Sequence, residues 1–469
     1  MNGPIRPGDL SPGFIAVSNP FDGADLGMVA DIPAGIAHLL IKTAKKGSHL
    51  SRRIPRHERA SILENCASLI LQDIEALSAL IVAERGKTIR QSTSEVLKCV
   101  DTLRLSAAEA RHNAGEVLPF DAFGESWNRR GWYTREPLGI IVAVTPYDDP
   151  LYQVARKLGP AIAGGNAVIV NPSEYTPLSA IKLVSYLMSA GLPSEVVTVA
   201  TGGAALVGQL VSSRDVGMVS VTGELKIGEQ LARSSGLKKV TMELAGNGSI
   251  IVTGECDLEE VVESCVSMAY GTAGSGCIGI RRIIVQGAVY EEFKIRLVAR
   301  TNMLRTGDPA LPRTDIGPMI SVDVAERIQG IVDSAISKGA TLLCGNAREG
   351  SIYAPTLLEN VCDASELWEW TDLCPLAVLQ RVRTIEEALA LANDSKHRSR
   401  VSVFTQDLKS ALDMAERIEG GPVEINDSCG CRCDAELSSR SRYDNLVARE
   451  SVRRVYEEMT QTKVVCFRG

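Results

Sequence analysis

Histidine is scarce in this sequence, with five in 469 residues, and no Cys-x-x-Cys pair occurs. A zinc site built from His and Cys is therefore not expected. There is no basic excess either: 50 Lys+Arg against 57 Asp+Glu leave a formal charge of −7, too acidic to hold nucleic acid or an anionic membrane by overall field. Apolar runs stay well short of the ~18 residues that would span a bilayer, and Met1–Leu10 carries no basic stretch followed by an apolar one. The expected protein is soluble and cytoplasmic, with neither nucleic acid nor membrane as a partner. What is present suits a globular chain of two large or three smaller units, with 45% hydrophobic and 23% charged residues. Twelve cysteines are scattered without a disulfide framework, so they read as reduced thiols of which one can be a nucleophile. The Cys429-x-Cys431-x-Cys433 run reads as a loop with incidental thiols.

From Pro55 to about Arg85, apolar residues recur at three and four, which predicts an amphipathic helix, and Ser92–Asn113 predicts another. After Arg135 the pattern alternates. Ile140–Val144 is a fully apolar strand-like run, Gln153–Ala163 is helical with Gly164-Gly165-Asn166 as its stop, and Ala167–Val170 is a second strand. Strand, helix and strand continue through Val196–Val199, Ala204–Ser212, Met218–Val221 and Ile227–Ser234. Such alternation marks a parallel sheet with crossover helices, whose ligands bind beyond the carboxyl ends of the strands. The segments just after those strands are thus the ones to inspect: 145–150, 171–174, 201–208 and 221–228. A second α/β series begins near Ser249, with a soft boundary at about Leu244.

Two residues in bare, glycine-rich settings carry candidate chemistry. Cys277 lies in Gly271-Thr-Ala-Gly-Ser-Gly-Cys-Ile-Gly, where small neighbours let a carbonyl and its oxyanion approach the sulfur. Glu243, 34 residues earlier in Met242-Glu-Leu-Ala-Gly-Asn-Gly248, is a candidate general base. By composition alone, Cys277 reads first as a cysteine in a tight turn.

The order of motifs goes further. Pro137-Leu-Gly-Ile-Ile-Val-Ala-Val-Thr-Pro146, Lys157-Leu-Gly-Pro-Ala-Ile-Ala-Gly-Gly-Asn166, Pro172-Ser-Glu-Tyr-Thr-Pro177, Ala190-Gly-Leu-Pro193, Thr222-Gly223 with Gly228, Glu243-Leu-Ala-Gly246, Cys277, Gly307-Asp-Pro309 and Ile425-Asn426 follow one another along nearly the whole chain. In that order and spacing the chain resembles the aldehyde dehydrogenase superfamily, as a divergent member. The resemblance implies an α/β fold: a Rossmann-like cofactor domain (1–125 and 137–243), an α/β catalytic domain (244–426), and an oligomerisation arm (126–136 and 427–469) that joins homodimers or homotetramers. Strands near Gly131–Glu136 and Lys463–Phe467 are the expected arm.

Carried over by motif, Cys277 is the implied nucleophile, Glu243 the base, and Lys157 the lysine near that base. Thr145, Pro146, Asn171, Ser173, Glu174, Gly208, Gly223, Glu224, Thr371 and Leu373 are the implied cofactor contacts, with Glu174 beside the adenosine. The implied reaction oxidises an aldehyde to a carboxylic acid with NAD(P)+ through a thiohemiacetal and a thioester on Cys277.

The departures from the family pattern cluster at the site. The oxyanion-donating Asn is replaced by Asp148 in Tyr147-Asp148-Asp149-Pro150, and an ionised carboxylate there opposes the developing alkoxide unless it is protonated. Asn171 replaces a lysine at the ribose, so NAD is the expected cofactor and NADP is disfavoured. Glu224 replaces a serine near the diphosphate, where its charge repels. Thr371 and Leu373 stand for the Glu and Phe of the nicotinamide side, and Ser275 for a Gln. Two alternatives therefore stay open: a non-redox thiol enzyme, hydrolase or acyl-transfer catalyst, that has lost the nicotinamide cofactor, or an inactive scaffold. Arg281, Arg282, Arg432, Arg440 and Arg442 are candidates to meet an anionic substrate, against a solvated basic loop. The Trp368/Trp370 pair reads as packing.

Overall fold

The computed structural model describes residues 13–112, 114–122, 124–271, 279–362, 365–369, 374–394, 398–427 and 451–468. Cys277, Ser275, Trp370, Thr371, Leu373, the Cys429–Cys433 run and Arg432, Arg440 and Arg442 lie outside them. An antiparallel hairpin opens the described chain, β1 (Gly13–Ser18) with β2 (Asp25–Asp31). Four helices follow: α1 (Ala37–Arg53), α2 (Arg56–Gln72), α3 (Ile74–Arg85) and α4 (Ile89–His112). The single helix expected over 55–85 divides at Asp73, where the axis bends by 78°. α3 ends at Gly86, which is left-handed (φ 76°); a Cβ there would lie 2.6 Å from the Pro318 side chain, so glycine alone makes this turn.

Strands β3 (Gly115–Val117) and β4 (Arg129–Pro137) come next, then an alternating series: β5 (Ile140–Val144), α5 (Pro150–Gly164), β6 (Ala167–Asn171), α6 (Pro177–Ser189), β7 (Val197–Val199), α7 (Ala204–Ser212), β8 (Val216–Gly223), α8 (Leu225–Ser235) and β9 (Lys239–Leu244). β5 to β9 form an all-parallel sheet of order β7-β6-β5-β8-β9. Its central strands are continuous apolar runs because helices cover both faces. The chain steps outward from β5 to β7 and then returns to the other side of β5 as β8. That reversal leaves a crevice at the carboxyl ends of β5 and β8, where such sheets bind ligands.

Two residues beyond β9 the second sheet begins: β10 (Asn247–Val252), α9 (Leu258–Tyr270), β11 (Ile280–Gln286), α10 (Tyr290–Asn302), α11 (Val322–Ser337), β12 (Thr341–Cys344), the small hairpin β13 (Arg348–Glu349) and β14 (Ile352–Tyr353), β15 (Thr356–Glu359), β16 (Leu376–Val382), α12 (Ile385–Asn393), β17 (Arg398–Phe404), α13 (Leu408–Arg417) and β18 (Val423–Ile425). Its order is β12-β15-β16-β11-β10-β17-β18, parallel except for β12. After α14 (Val452–Glu458), the last strand β19 (Thr460–Arg468) pairs antiparallel with β4 along its whole length, and β3 completes a three-stranded arm. Trp132 and Phe467 meet edge to face on the arm at 6.3 Å, and Val117, Trp132, Val464 and Phe467 are exposed.

Candidate active site

Three polar residues stand in register across the carboxyl edge of the first sheet. Val144 of β5 pairs with Val221 of β8, so Thr145 and Thr222 come next on each strand, and Thr222 pairs in turn with Glu243 of β9. Directly opposed residues share a face of a sheet, which brings Glu243 to the crevice. The Thr145 and Thr222 hydroxyls are buried with no hydrogen-bond partner among the described residues. Buried polar groups rarely stay unsatisfied, so this edge is built for something polar.

Glu243 is 1% exposed and is held by α5: Arg156 Nη1 donates to both carboxylate oxygens, at 3.0 and 3.2 Å. The Arg156 guanidinium also lies 5.5 Å from the Tyr152 ring centre. Lys157, the next residue of α5, is fully buried. The base and lysine expected from sequence are thus on adjoining elements, and Arg156 joins them although no sequence signal had marked it.

The corner between β5 and α5 is more heavily charged than its sequence suggests. Asp148 is 2% exposed and accepts from Arg85 Nη2 at 3.3 Å. Asp149 takes a left-handed conformation (φ 47°), costly for a residue with a Cβ, and its carboxylate is pinned by Lys87. Lys87 Nζ also donates to Glu95 at 2.7 Å. Glu95 in turn accepts the backbone N–H groups of Leu151 and Tyr152, at 2.9 and 3.2 Å, and so caps α5. Both cations flank the Gly86 turn, one on each side. Burial pushes the Asp148 carboxyl above its ordinary range, helped by Asp149 and opposed by Arg85 and Lys87. Burial also works against ionisation of Asp149, but Lys87 and then Lys98 outweigh it and hold that carboxyl low.

At the end of β6, both N–H groups of the Asn171 amide are spent on the carbonyls of Ala200 and Gly202, at 2.6 and 3.0 Å. Only Oδ1 is left to accept a further hydrogen bond. Ser173 Oγ accepts from the Tyr175 backbone, and Glu174 is exposed at the rim of a cavity of about 540 Å³ that also contains Glu84. Gly208 on α7 and Gly223 at the end of β8 have open space where a Cβ would project. Glu224 is exposed at the N-cap of α8 and its side chain makes no capping bond. Pro146, half-buried, separates Thr145 from the charged corner.

Eight cysteines are described, with no disulfide among the described residues. Burial pushes the thiols of Cys256 and Cys344 up to about 11 and Cys66 to about 12, and raises Cys99 and Cys265 as well. None of these five is a ready thiolate. Arg281 and Arg282 are not a solvated basic loop: both are buried on β11, the first donating to the Cys374 carbonyl, the second to Asn247 Oδ1 and the Leu391 carbonyl and stacking on buried Trp368. Among the described residues no group of His, Cys, Asp and Glu side chains could hold a metal ion.

A parallel sheet with a switch-point crevice, glycines that leave space, a helix N-terminus after β8 and orphaned hydroxyls at the strand ends define an α/β dinucleotide-type site. The residues present fit a nicotinamide cofactor in their chemistry: the Thr145 and Thr222 hydroxyls have no partner among the described residues, Gly223 leaves open space, and no Glu224 side-chain cap closes the start of α8. A model of the aldehyde dehydrogenase family matches residues 9–465, and the chain belongs to that family. It is 52% identical over 453 residues to aspartate-semialdehyde dehydrogenase 1 of Pseudomonas canavaninivorans, covering 97% of this chain and 96% of that one. It is 34% identical over 411 residues to 3-sulfolactaldehyde dehydrogenase of Priestia megaterium, covering 87% and 86%. The NADP complex of glyceraldehyde-3-phosphate dehydrogenase from Methanocaldococcus jannaschii superposes with a TM-score of 0.93 at 30% identity, over 98% of this chain and 100% of that one. The protein is an oxidoreductase with the aldehyde dehydrogenase fold, oxidising an aldehyde to a carboxylic acid with a nicotinamide cofactor.

Proposed function

We propose that the substrate is a small aldehyde carrying an anionic group, that NAD+ is the preferred acceptor, and that Cys277 and Glu243 do the chemistry. The observation that carries this reading is Arg156, a guanidinium at the crevice that holds both oxygens of the Glu243 carboxylate and so has the charge and geometry to meet a second one. A cation in that position attracts a substrate carboxylate, sulfonate or phosphate into the crevice. The names of the relatives agree: they act on a semialdehyde of aspartate and on a sulfonated lactaldehyde.

In the proposed sequence the Cys277 thiolate attacks the carbonyl carbon and the π pair moves to oxygen, beside Asp148. A bound nicotinamide would supply the hydride acceptor, and as the hydride leaves carbon the oxygen pair re-forms the carbonyl as a thioester on Cys277. Glu243 then takes a proton from water as the water attacks; the C–S bond breaks, the thiolate returns and the acid leaves. A carboxylate that gives its lone pairs to a guanidinium has fewer for water, so Arg156 must loosen its hold at this step. Asn171 offers no positive charge to a 2′-phosphate, which supports NAD+ over NADP+. The exposed apolar arm of β3, β4 and β19 supports a homodimer or homotetramer.

The test is an initial-rate assay of reduced cofactor with chain-matched neutral, carboxylated, sulfonated and phosphorylated aldehydes. The anionic substrates should win in kcat/KM by at least about tenfold. Equal or better turnover of the neutral aldehydes refutes the substrate class. In Glu243→Gln, turnover should fall on the order of 10²–10⁴-fold, with an acyl adduct on Cys277 visible by intact mass.

A further inference from the structure

Glu243 can take a proton from water only when Arg156 slackens its hold, and the way the two are paired shows what can slacken it. Both bonds come from one nitrogen, Nη1, to the two carboxylate oxygens. The stronger arrangement, a fork of two nitrogens on two oxygens, is not made between these residues. The partners are also unequally covered: the Glu243 side chain is 2% exposed and that of Arg156 13%. The guanidinium is therefore the outer member of the pair, and an ion entering from solvent meets the cation before the base. Each member also has a second place to rest. The Arg156 guanidinium lies 5.5 Å from the ring centre of Tyr152, one turn earlier on α5, and a cation keeps that face while its N–H groups change partner. On the carboxylate side, Thr222 stands opposite Glu243 in the β8–β9 ladder, and its buried hydroxyl has no partner among the described residues. A hydroxyl steadies a carboxylate without the full charge of a guanidinium, so it takes less from its basicity.

We propose that Arg156 is a latch on the base, released by the substrate's own anionic group. This rests on the function proposed above, in which Arg156 meets that group and Glu243 activates water. In the empty enzyme the guanidinium covers both carboxylate oxygens, and the buried base is closed to water. An incoming carboxylate, sulfonate or phosphate competes for the guanidinium, and Glu243 recovers lone pairs for a water molecule. The exchange moves no proton and makes or breaks no covalent bond; one ion pair replaces another. Neutral aldehydes lack the group that releases the latch, so they are oxidised once and then wait as the acyl-enzyme. The anion thus acts on kcat through hydrolysis, beyond any gain it brings in KM.

The test supplies the two halves of such a substrate separately, as propanal and acetate, and follows reduced cofactor from the first turnover. With propanal alone, one equivalent per chain should form in a burst, followed by slow turnover with an acyl adduct visible by intact mass. Acetate at constant ionic strength should speed the slow phase saturably by at least about tenfold, within the ~10²–10⁴ that a positioned base contributes. In Arg156→Gln the slow phase should no longer respond to acetate. A readout without turnover keeps the test independent of how well that variant folds. In the infrared difference between wild type and Glu243→Gln, isotope-labelled acetate should shift the carboxylate stretch of Glu243. A slow phase and a stretch both indifferent to acetate overturn the latch, as does an Arg156→Gln response equal to that of the wild type. If anionic aldehydes win in kcat/KM while acetate changes nothing, the latch falls and the substrate class stands; if they do not win either, both fall.

Discussion

The corner after β5 and the rim formed by the ends of β6 and β8 both carry side chains that depart from the expected motifs, Asp148 and Asp149 at the one, Asn171 and Glu224 at the other. They absorb the departure differently. At the corner the acidic residues are buried, and cations 60 or so residues earlier in the chain are folded in against them, with Arg85 on Asp148 and Lys87 on Asp149. At the rim, Glu224 stands exposed at the start of α8, while Asn171 is buried and turns its amide onto backbone carbonyls. Burial is what forces a partner: a charge taken from water costs several kcal/mol unless it is paired, whereas an exposed one asks for nothing.

The sharpest way to break this comparison is to remove a cation from the corner. Lys87→Met leaves Glu95 and Asp149 without their shared donor and should lower the free energy of unfolding by about 3–5 kcal/mol, read by urea denaturation at neutral pH. Loss of less than about 1 kcal/mol, the ordinary range for a surface position, would mean the corner is as well hydrated as the rim. Glu84, on the same turn, gives the next effect. Burial raises its carboxyl to about 7, against the opposing hydrogen bonds of Ser179 and Leu178. A raised acid stabilises the fold fully below its unfolded value and loses that contribution as pH rises to its folded value. Between pH ~4.5 and ~7 the stability of wild type relative to Glu84→Gln should therefore decline by up to about 3 kcal/mol and then level off. A flat difference across that window would show Glu84 ionised throughout.

What the sequence made legible follows the same division. β5 and β6 were readable because strands buried on both faces are continuous apolar runs, and α7 and α9 because their apolar periodicity marks them, α9 with Asp257 as its cap. β9 was not, since Lys239-Val-Thr-Met-Glu-Leu is short and carries charge at each end; it becomes a strand because β8 offers it an edge. The break at Asp73 escaped notice because apolar spacing continues across it, and only packing shows the bend. At the candidate site, motifs singled out Glu243, Lys157 and Asp148. Arg85, Lys87, Glu95 and Arg156 could not, because an ion pair between distant segments leaves no periodic trace in either.

At the rim the effects should be smaller. Asn171→Ala removes two hydrogen bonds that hold the segment Ala200–Gly202 and should cost about 2 kcal/mol, at the usual ~1 kcal/mol each. Denaturation in the absence of cofactor measures it. A neutral substitution would mean that the Ala200 and Gly202 carbonyls find water once the amide is gone, and the rim would then be wet even where it is buried.

Glu224→Ser is the smallest change and the one that separates stability from function. With its side chain exposed and no capping bond to lose, unfolding should shift by no more than about 0.5 kcal/mol. The carboxylate nevertheless stands at the helix end where the cofactor diphosphate is expected, and like charges a few ångströms apart in water-like screening repel by about 0.5–1 kcal/mol. KM for NAD+ should therefore fall by about two- to fivefold, and the gain should shrink in high salt as screening replaces the mutation. An unchanged KM at low salt would place the diphosphate away from Glu224. A gain that persists at high salt would mean the carboxylate blocks the site by its size and not its charge, and the rim would then differ from the corner in packing as well as in hydration.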